Sequence, residues 1–187
     1  MKEIIRKVLL ENDYLRRKEF AKKTLFKLWD REKSMGKTPK INEDIAKILN
    51  VTYYNLGELL VEWYGGVEKV YRLIKNRLVN KVITTNNLGR LGVSVGGYDF
   101  SFSIGELNLR KTQGGGYEFY IPLKIIDGGV SIYDGSYIDL TDIDSINDNL
   151  WWELSYEIKD IIREFIIIIA QEYGFNALLD DINIDYI

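Results

Sequence analysis

Residues 151–173, WWELSYEIKDIIREFIIIIAQEY, are the most apolar long stretch of the chain, and any fold it adopts has to bury them. Trp151, Leu154, Ile158, Ile161, Phe165 and Ile168 follow one another at alternating three- and four-residue steps, the spacing of side chains stacked on one face of a helix. Ile162, Ile166, Ile169 and Tyr173 widen that face. From Phe165 to Ala170 the helix is apolar nearly all round, which predicts central burial. The same six residues carry a competing signal, since the β-branched run Ile166 to Ile169 also suits a buried strand. They are too few to span a bilayer and are flanked by Arg163, Glu164 and Glu172.

Just upstream, in residues 81–140, the apolar period drops from about 3.6 to 2. Tyr98, Phe100 and Phe102 alternate with Asp99, Ser101 and Ser103. Tyr117, Phe119 and Ile121 alternate with Glu118 and Tyr120, the pattern of half-buried antiparallel strands. Turn signals fall between the apolar runs at Asn86-Asn87, Gly96-Gly97, Gly114-Gly115-Gly116, Gly128-Gly129 and Asp134-Gly135, the last a two-residue hairpin signal. The expectation is a meander of five or six strands, with Pro122 marking an edge or a bulge. Residues 139–149 form a polar linker in which Asp148 or Ser145 would cap the long helix. The alternation of residues 182–187, INIDYI, fits one more strand at a sheet edge.

The N-terminal third is helical in pattern. Residues 2–33 predict a helix interrupted near Asn12-Asp13. Its first piece carries an Ile4, Ile5, Val8, Leu9 stripe against Lys2, Arg6 and Lys7. The second turns Leu15, Phe20, Leu25, Leu28 and Trp29 toward a core. Arg16, Arg17, Lys18, Lys22, Lys23 and Lys27 form the densest basic cluster of the chain. Residues 34–39, SMGKTP, break the helix. Residues 42–63 give two short helical patterns about a turn at Asn50 to Thr52 and resemble a helix-turn-helix, with Ile45, Ala46, Leu49, Val51, Leu56 and Leu60 at its packing positions. The outward residues of the second helix would be Tyr53, Tyr54, Asn55, Glu58 and Glu62, and two carboxylates are repelled by a phosphate-lined groove. After Gly65-Gly66 another helix follows, with Val70, Leu73, Ile74 and Leu78 inward. The division expected is a helical block with a basic face at residues 1–80, then an antiparallel sheet with a C-terminal helix and short terminal strand at 81–187. The fold class is α+β.

Chemistry is limited by what is missing. The chain has no histidine and no cysteine, which removes Ser-His and Cys-His catalysis and imidazole or thiolate zinc sites. Carboxylate, lysine, tyrosine, hydroxyl and backbone groups are left. Asp139, Asp142, Asp144 and Asp148 suggest a calcium loop, but from Asp142 the required glycine position holds Asn147, so the run reads as a solvated loop and cap. Gly89-Arg90-Leu91-Gly92 and Gly114-Gly115-Gly116 lie between strands and read as turns rather than phosphate loops. Glu157-Ile158-Lys159 has the carboxylate-x-lysine form of metal-dependent nucleases, yet it sits in a helix without an acidic partner upstream, as exposed charge. Tyr98, Tyr117 and Tyr120 could stack bases, but no lysine or arginine interleaves on their strands, so packing explains them better.

Charge is unevenly distributed. Residues 1–40 carry thirteen Lys/Arg against six Asp/Glu, and the rest of the chain twelve against twenty-two, so a basic end faces an acidic body. A basic arm can contact nucleic acid or an acidic protein, or form a solvated helical face.

The first eleven residues, MKEIIRKVLLE, resemble the short basic amphipathic leader of many tailed-phage proteins, some of which are directed into the capsid by it. Leu9-Leu10-Glu11 matches the Leu-x-Glu pattern cut by prohead proteases in that group. The pieces FKLWD (26–30), WYGGVEK (63–69) and WWELSYEIKD (151–160) are also similar to proteins of such phages. The resemblance implies a phage-type protein found in the virion or the host cytoplasm. The expectation is therefore a non-enzymatic structural or virion-packaged protein working through contacts with other proteins, a second copy or virion components among them. No metal, cofactor, membrane or secretory signal is expected. The alternative is a nucleic-acid-binding or regulatory protein, including an anti-defence protein, using Arg16, Arg17, Lys18, Lys22, Lys23 and Lys27.

Overall fold

The structure is a computed structural model and describes residues 2–39, 47, 53–132 and 135–187, with side chains described from Leu15 in the first helix and Leu56 in the second. Helix α1 spans Lys2–Ser34, α2 Tyr53–Trp63 and α3 Val67–Leu78. Strand β1 (Val82–Thr84) leads through helix α4 (Thr85–Arg90) to β2 (Tyr98–Ile104), β3 (Asn108–Lys111), β4 (Tyr117–Ser131) and β5 (Tyr137–Asp139). The chain closes with α5 (Asp148–Gln171), a 3-10 turn at Phe175–Ala177 and β6 (Leu179–Tyr186).

Strand β4 is the spine of a six-stranded sheet. Its Leu123 pairs with Ile104 of β2 on one side and Tyr186 of β6 on the other, while Tyr117 pairs with Lys111 of β3 and with Leu179. Strands β2 and β3 therefore lie end to end along one edge of β4, and β5 and β6 end to end along the other. The pairs among β1 to β5 are all antiparallel, as expected, with β2 and β3 sharing one edge of β4, and β6 joins β4 in parallel. Between the pairs Ile104/Leu123 and Asn108/Tyr120, the residues 105–107 face only 121–122, which is a bulge. Pro122 sits opposite it: its carbonyl accepts from Gly105 N–H at 2.8 Å, so the missing proline N–H faces the break in the ladder and costs no pair.

One face of this sheet is buried, the other half-solvated. Tyr98, Phe100, Phe102, Ile104, Phe119, Ile121, Leu123, Ile182 and Ile184 are all under 9% exposed. Helix α5 covers them with Leu154, Ile158, Ile161, Ile162, Phe165, Ile166, Ile169 and Ala170. Phe165 meets Phe102 edge to face at 6.4 Å. The isoleucine run is helical: a row that keeps its 3.6 period through six turns outweighs the strand preference of four residues, and Ile167, which leaves the row, is 39% exposed. Helix α3 adds Val70, Ile74 and Leu78 to the same core, and Tyr71 stacks on Phe119 at 6.5 Å.

Several local expectations are corrected. Helix α1 runs through Asn12-Asp13 without a break, because each residue costs only a few tenths of a kcal/mol inside a helix, whereas a restart forfeits several backbone hydrogen bonds. Its buried row is Ala21, Leu25 and Trp29, whereas Leu15, Phe20 and Leu28 are 57, 67 and 37% exposed. Asn86-Asn87 is no turn: Thr84 and Asn87 form a reciprocal capping box that starts α4. The cap of α5 is Asn147, whose side chain accepts from Asn149 N–H at 3.0 Å, and neither Asp148 nor Ser145 takes that role. Gly128-Gly129 lies inside β4 and not between strands. There the neighbours crowd the backbone: a Cβ on Gly128 would come within 2.2 Å of the Asp99 carbonyl, and one on Gly129 within 2.0 Å of the Ile138 carbonyl. Asp134 of the expected Asp134-Gly135 hairpin lies outside the described residues; on either side of it Ile132 N–H bonds the Ser136 carbonyl at 3.0 Å and Gly135 N–H the Ile132 carbonyl at 2.9 Å.

Candidate functional site

A small second core fixes α1 in place. Leu25 and Trp29 pack against Leu56, Leu59 and Leu60 of α2, with Phe26, Trp63 and Tyr64 around them. An edge-to-face relay continues from Trp29 through Trp63 and Tyr64 to Tyr173 beyond the end of α5, with centroid spacings of 6.0, 4.9 and 5.3 Å. Polar ties flank it. Trp63 Nε1 donates to Asp30 at 3.0 Å, Lys33 Nζ lies 5.2 Å from the Trp63 ring centroid, and Lys22 pairs with Glu62.

Because α1 is held by one row, its opposite row is fixed in direction. Arg16, Phe20, Lys23, Lys27 and Arg31 recur at steps of four, three, four and four, which at about 100° per residue sets them roughly opposite Ala21, Leu25 and Trp29. All five are exposed, Phe20 at 67%. Among the described residues none of the four cations has a carboxylate partner. The row is about 22 Å long at 1.5 Å per residue. An apolar ring left in water among four exposed cations is a surface suited to a polyanionic or acidic partner.

The six basic residues singled out from the sequence divide accordingly. Arg16, Lys23 and Lys27 lie in the row and Arg17 is exposed beside it. Lys18 and Lys22 are half-buried on the other side, and the bond to Glu62 holds the Lys22 ammonium above its usual range. Phe20 and Arg31 were not singled out. The four-residue step from Lys27 leads to Arg31, whereas the apolar pattern predicts Phe20 in a core, and only the docking of α1 shows it facing outward. Much of the helix-turn-helix-like segment, including Ile45, Ala46, Leu49 and Val51, lies outside the described residues, as do the side chains of Tyr53, Tyr54 and Asn55. Glu58 and Glu62 are exposed on α2, and Glu62 is taken by Lys22.

A second charged row runs along α5. Glu153, Glu157, Asp160 and Glu164 recur at steps of four, three and four on its outer face, all exposed. Beside them Trp152 and Tyr156, 62 and 51% exposed, pair at 4.7 Å. Glu157 also accepts from the buried Tyr98 hydroxyl at 2.7 Å, so the carboxylate of the Glu157-x-Lys159 pair serves the core. Lys159 lies over the Tyr186 ring at 5.3 Å. Burial first, and then the bond to Glu157, raises Tyr98 well above the usual tyrosine range, and burial raises Tyr186 against the opposing pull of Arg163. Both phenols thus stay neutral in the fold and ionise more easily in the unfolded chain. The stability they contribute is complete below the unfolded value near 10 and is lost as pH rises toward the folded values. Thermal melts taken between about pH 9 and about pH 12 should show falling stability, with Tyr98→Phe flattening part of the fall. A melting temperature independent of pH over that range would contradict this.

The remaining candidates are occupied by structural roles. Asp139 accepts from Thr141 N–H at 2.8 Å and from its hydroxyl at 2.6 Å, which holds the carboxyl below its usual range. Among the described residues no group of three or more His, Cys, Asp or Glu could hold a metal ion. Tyr120 takes the guanidinium of Arg110 over its ring at 4.7 Å, a lysine-free but not arginine-free arrangement reached from the neighbouring strand. A shallow cavity of about 260 Å³ is lined by Arg163, Ile167, Asn176, Leu179, Asp180, Asp181 and Ile182. Its charged groups are spoken for: Arg163 bonds the Ile182 carbonyl and Asp160, Asp180 accepts from Thr112, and Asp181 accepts from Ile182 N–H.

Comparison with known protein families, with curated proteins and with solved structures finds no match for the chain. No helix among the described residues is long and apolar enough to cross a membrane.

Proposed function

We propose that this is a non-enzymatic, phage-type protein, structural or packaged in the virion, that works by presenting the outer row of α1 to an acidic surface of another protein. The observation that carries the reading is that row itself. Arg16, Lys23, Lys27 and Arg31 are exposed and, among the described residues, have no carboxylate partner, while the opposite side of the helix is clamped by Trp29. The resemblance of residues 1–11 to phage leaders supports the virion setting. Mass spectrometry of purified virions should find the protein in stoichiometric amount; its absence would remove the structural role.

Nucleic-acid binding is the second reading, favoured by the same cations and the exposed Phe20, which together offer phosphate contacts and a stacking ring. It predicts binding of mixed-sequence DNA that weakens steeply with salt and loses about one unit of salt slope per cation neutralised in the row. Glu58 and Glu62 on the adjoining α2 oppose it.

A further inference from the structure

The two charged rows match each other. On α1 the positions 16, 20, 23 and 27 read Arg, Phe, Lys, Lys, and on α5 the positions 153, 157, 160 and 164 read Glu, Glu, Asp, Glu, at identical spacing and both facing solvent. Each row covers roughly 17 Å of helix, so Glu153 and Glu164 at the ends of the acidic row can fall in register with the cations of α1 when the helices lie side by side, while Glu157 and Asp160 between them already bond Tyr98 and Arg163. Apolar surface accompanies both: Phe20 stands within the basic row, and the Trp152–Tyr156 pair flanks the acidic one, with all three rings more than half exposed. On each helix the opposite side is already used, by Trp29 and Leu25 on α1 and by the sheet core on α5.

We infer that the occupant of the α1 row is a second copy of this chain, bound through the acidic and aromatic face of its α5. This rests on the reading of α1 as a protein contact surface and names the partner. The two faces differ, so the contact either closes, as a two-fold dimer with both α1–α5 pairings or as a larger ring, or extends head-to-tail. Two helix faces bury less than the roughly 800 Å² per partner of a standard interface, so the association is weak, dominated by charge and strongest at low salt.

The test is sedimentation at low salt of four proteins, each confirmed as folded by circular dichroism: the native chain, Lys23→Glu/Lys27→Glu, Glu153→Lys/Glu164→Lys, and a control, Lys69→Glu/Arg72→Glu, altered on the exposed side of α3. The native chain and the control should associate with rising concentration, and each row variant alone should sediment as a monomer. An equimolar mixture of the two row variants should associate again, because each reversed row meets an opposite charge only on the other variant. Monomeric native protein, row variants that associate like the native chain, a mixture that stays monomeric, or association abolished equally in the control would each overturn the inference. Virion content separates this from the broader reading: a monomer found in virions refutes self-assembly alone, and an associating protein missing from virions refutes the virion role alone.

Discussion

Gly128→Val should leave the chain without a stable native state. Gly128 has φ of 100°, a conformation that a β-branched residue does not adopt, and its α-carbon lies against the backbone of β2, where a Cβ would sit 2.2 Å from the Asp99 carbonyl and 2.6 Å from the Phe100 α-carbon. Neither obstacle is a side chain that could swing aside. Relief would mean separating β2 from β4, the two strands on which Phe100, Phe102 and Leu123 are mounted. The loss should exceed about 4 kcal/mol, enough to unfold a domain of ordinary stability. Gly115→Ala is the control. Its φ of 93° is as unusual, but nothing lies within 4 Å of the added methyl in the β3–β4 turn. It should cost only about 1–2 kcal/mol. Denaturant melts of the two variants therefore separate backbone crowding from backbone strain, and equal losses would contradict the assignment of Gly128 to the middle of a paired strand.

Trp29→Ala should release α1 without unfolding the sheet. Trp29 is 1% exposed and is the largest residue of the small α1–α2 core, so its truncation should cost about 3–5 kcal/mol locally. The sheet, α3 and α5 are held by a separate and much larger cluster. Hydrogen exchange should show the amides of residues 15–34 losing protection while β2 and β4 keep theirs. Loss of protection in both regions together would mean that the two cores are one cooperative unit. Trp29→Phe, which retains a ring against Trp63, should give a smaller version of the same pattern.

The architecture was legible where a pattern is long. Helix α5 spans 24 residues, and its buried row survives the isoleucine run because six turns of period outweigh local propensity. Strands β2 and β4 were visible from the alternation of Phe100 and Phe102, or Phe119 and Ile121, with polar neighbours. What escaped was decided by neighbours in space. Gly128-Gly129 reads as a turn because glycine pairs usually are turns, and only the approach of Asp99 and Ile138 explains glycine inside a strand. Asn86-Asn87 reads the same way, yet Thr84 captures Asn87 and makes a helix start. On α1 the apolar residues fall on several sides of the helix. The sequence cannot say that α2 meets Ala21, Leu25 and Trp29 rather than Phe20, so the outer row became visible only once the packing was known. The acidic row of α5 is readable only after its opposite face has been assigned to the sheet.

The central claim is that the outer row of α1 is the working surface of the protein. It is tested most directly by supplying the variant Arg16→Ala/Lys23→Ala/Lys27→Ala/Arg31→Ala in place of the native chain and quantifying it in purified virions against a labelled peptide standard. These side chains are exposed and free of carboxylate partners among the described residues, so the variant should fold with a melting temperature close to that of the native protein. Its virion content should fall at least about tenfold, the loss that roughly 1.4 kcal/mol of contact energy would produce. A folded variant incorporated at the native level would contradict the claim.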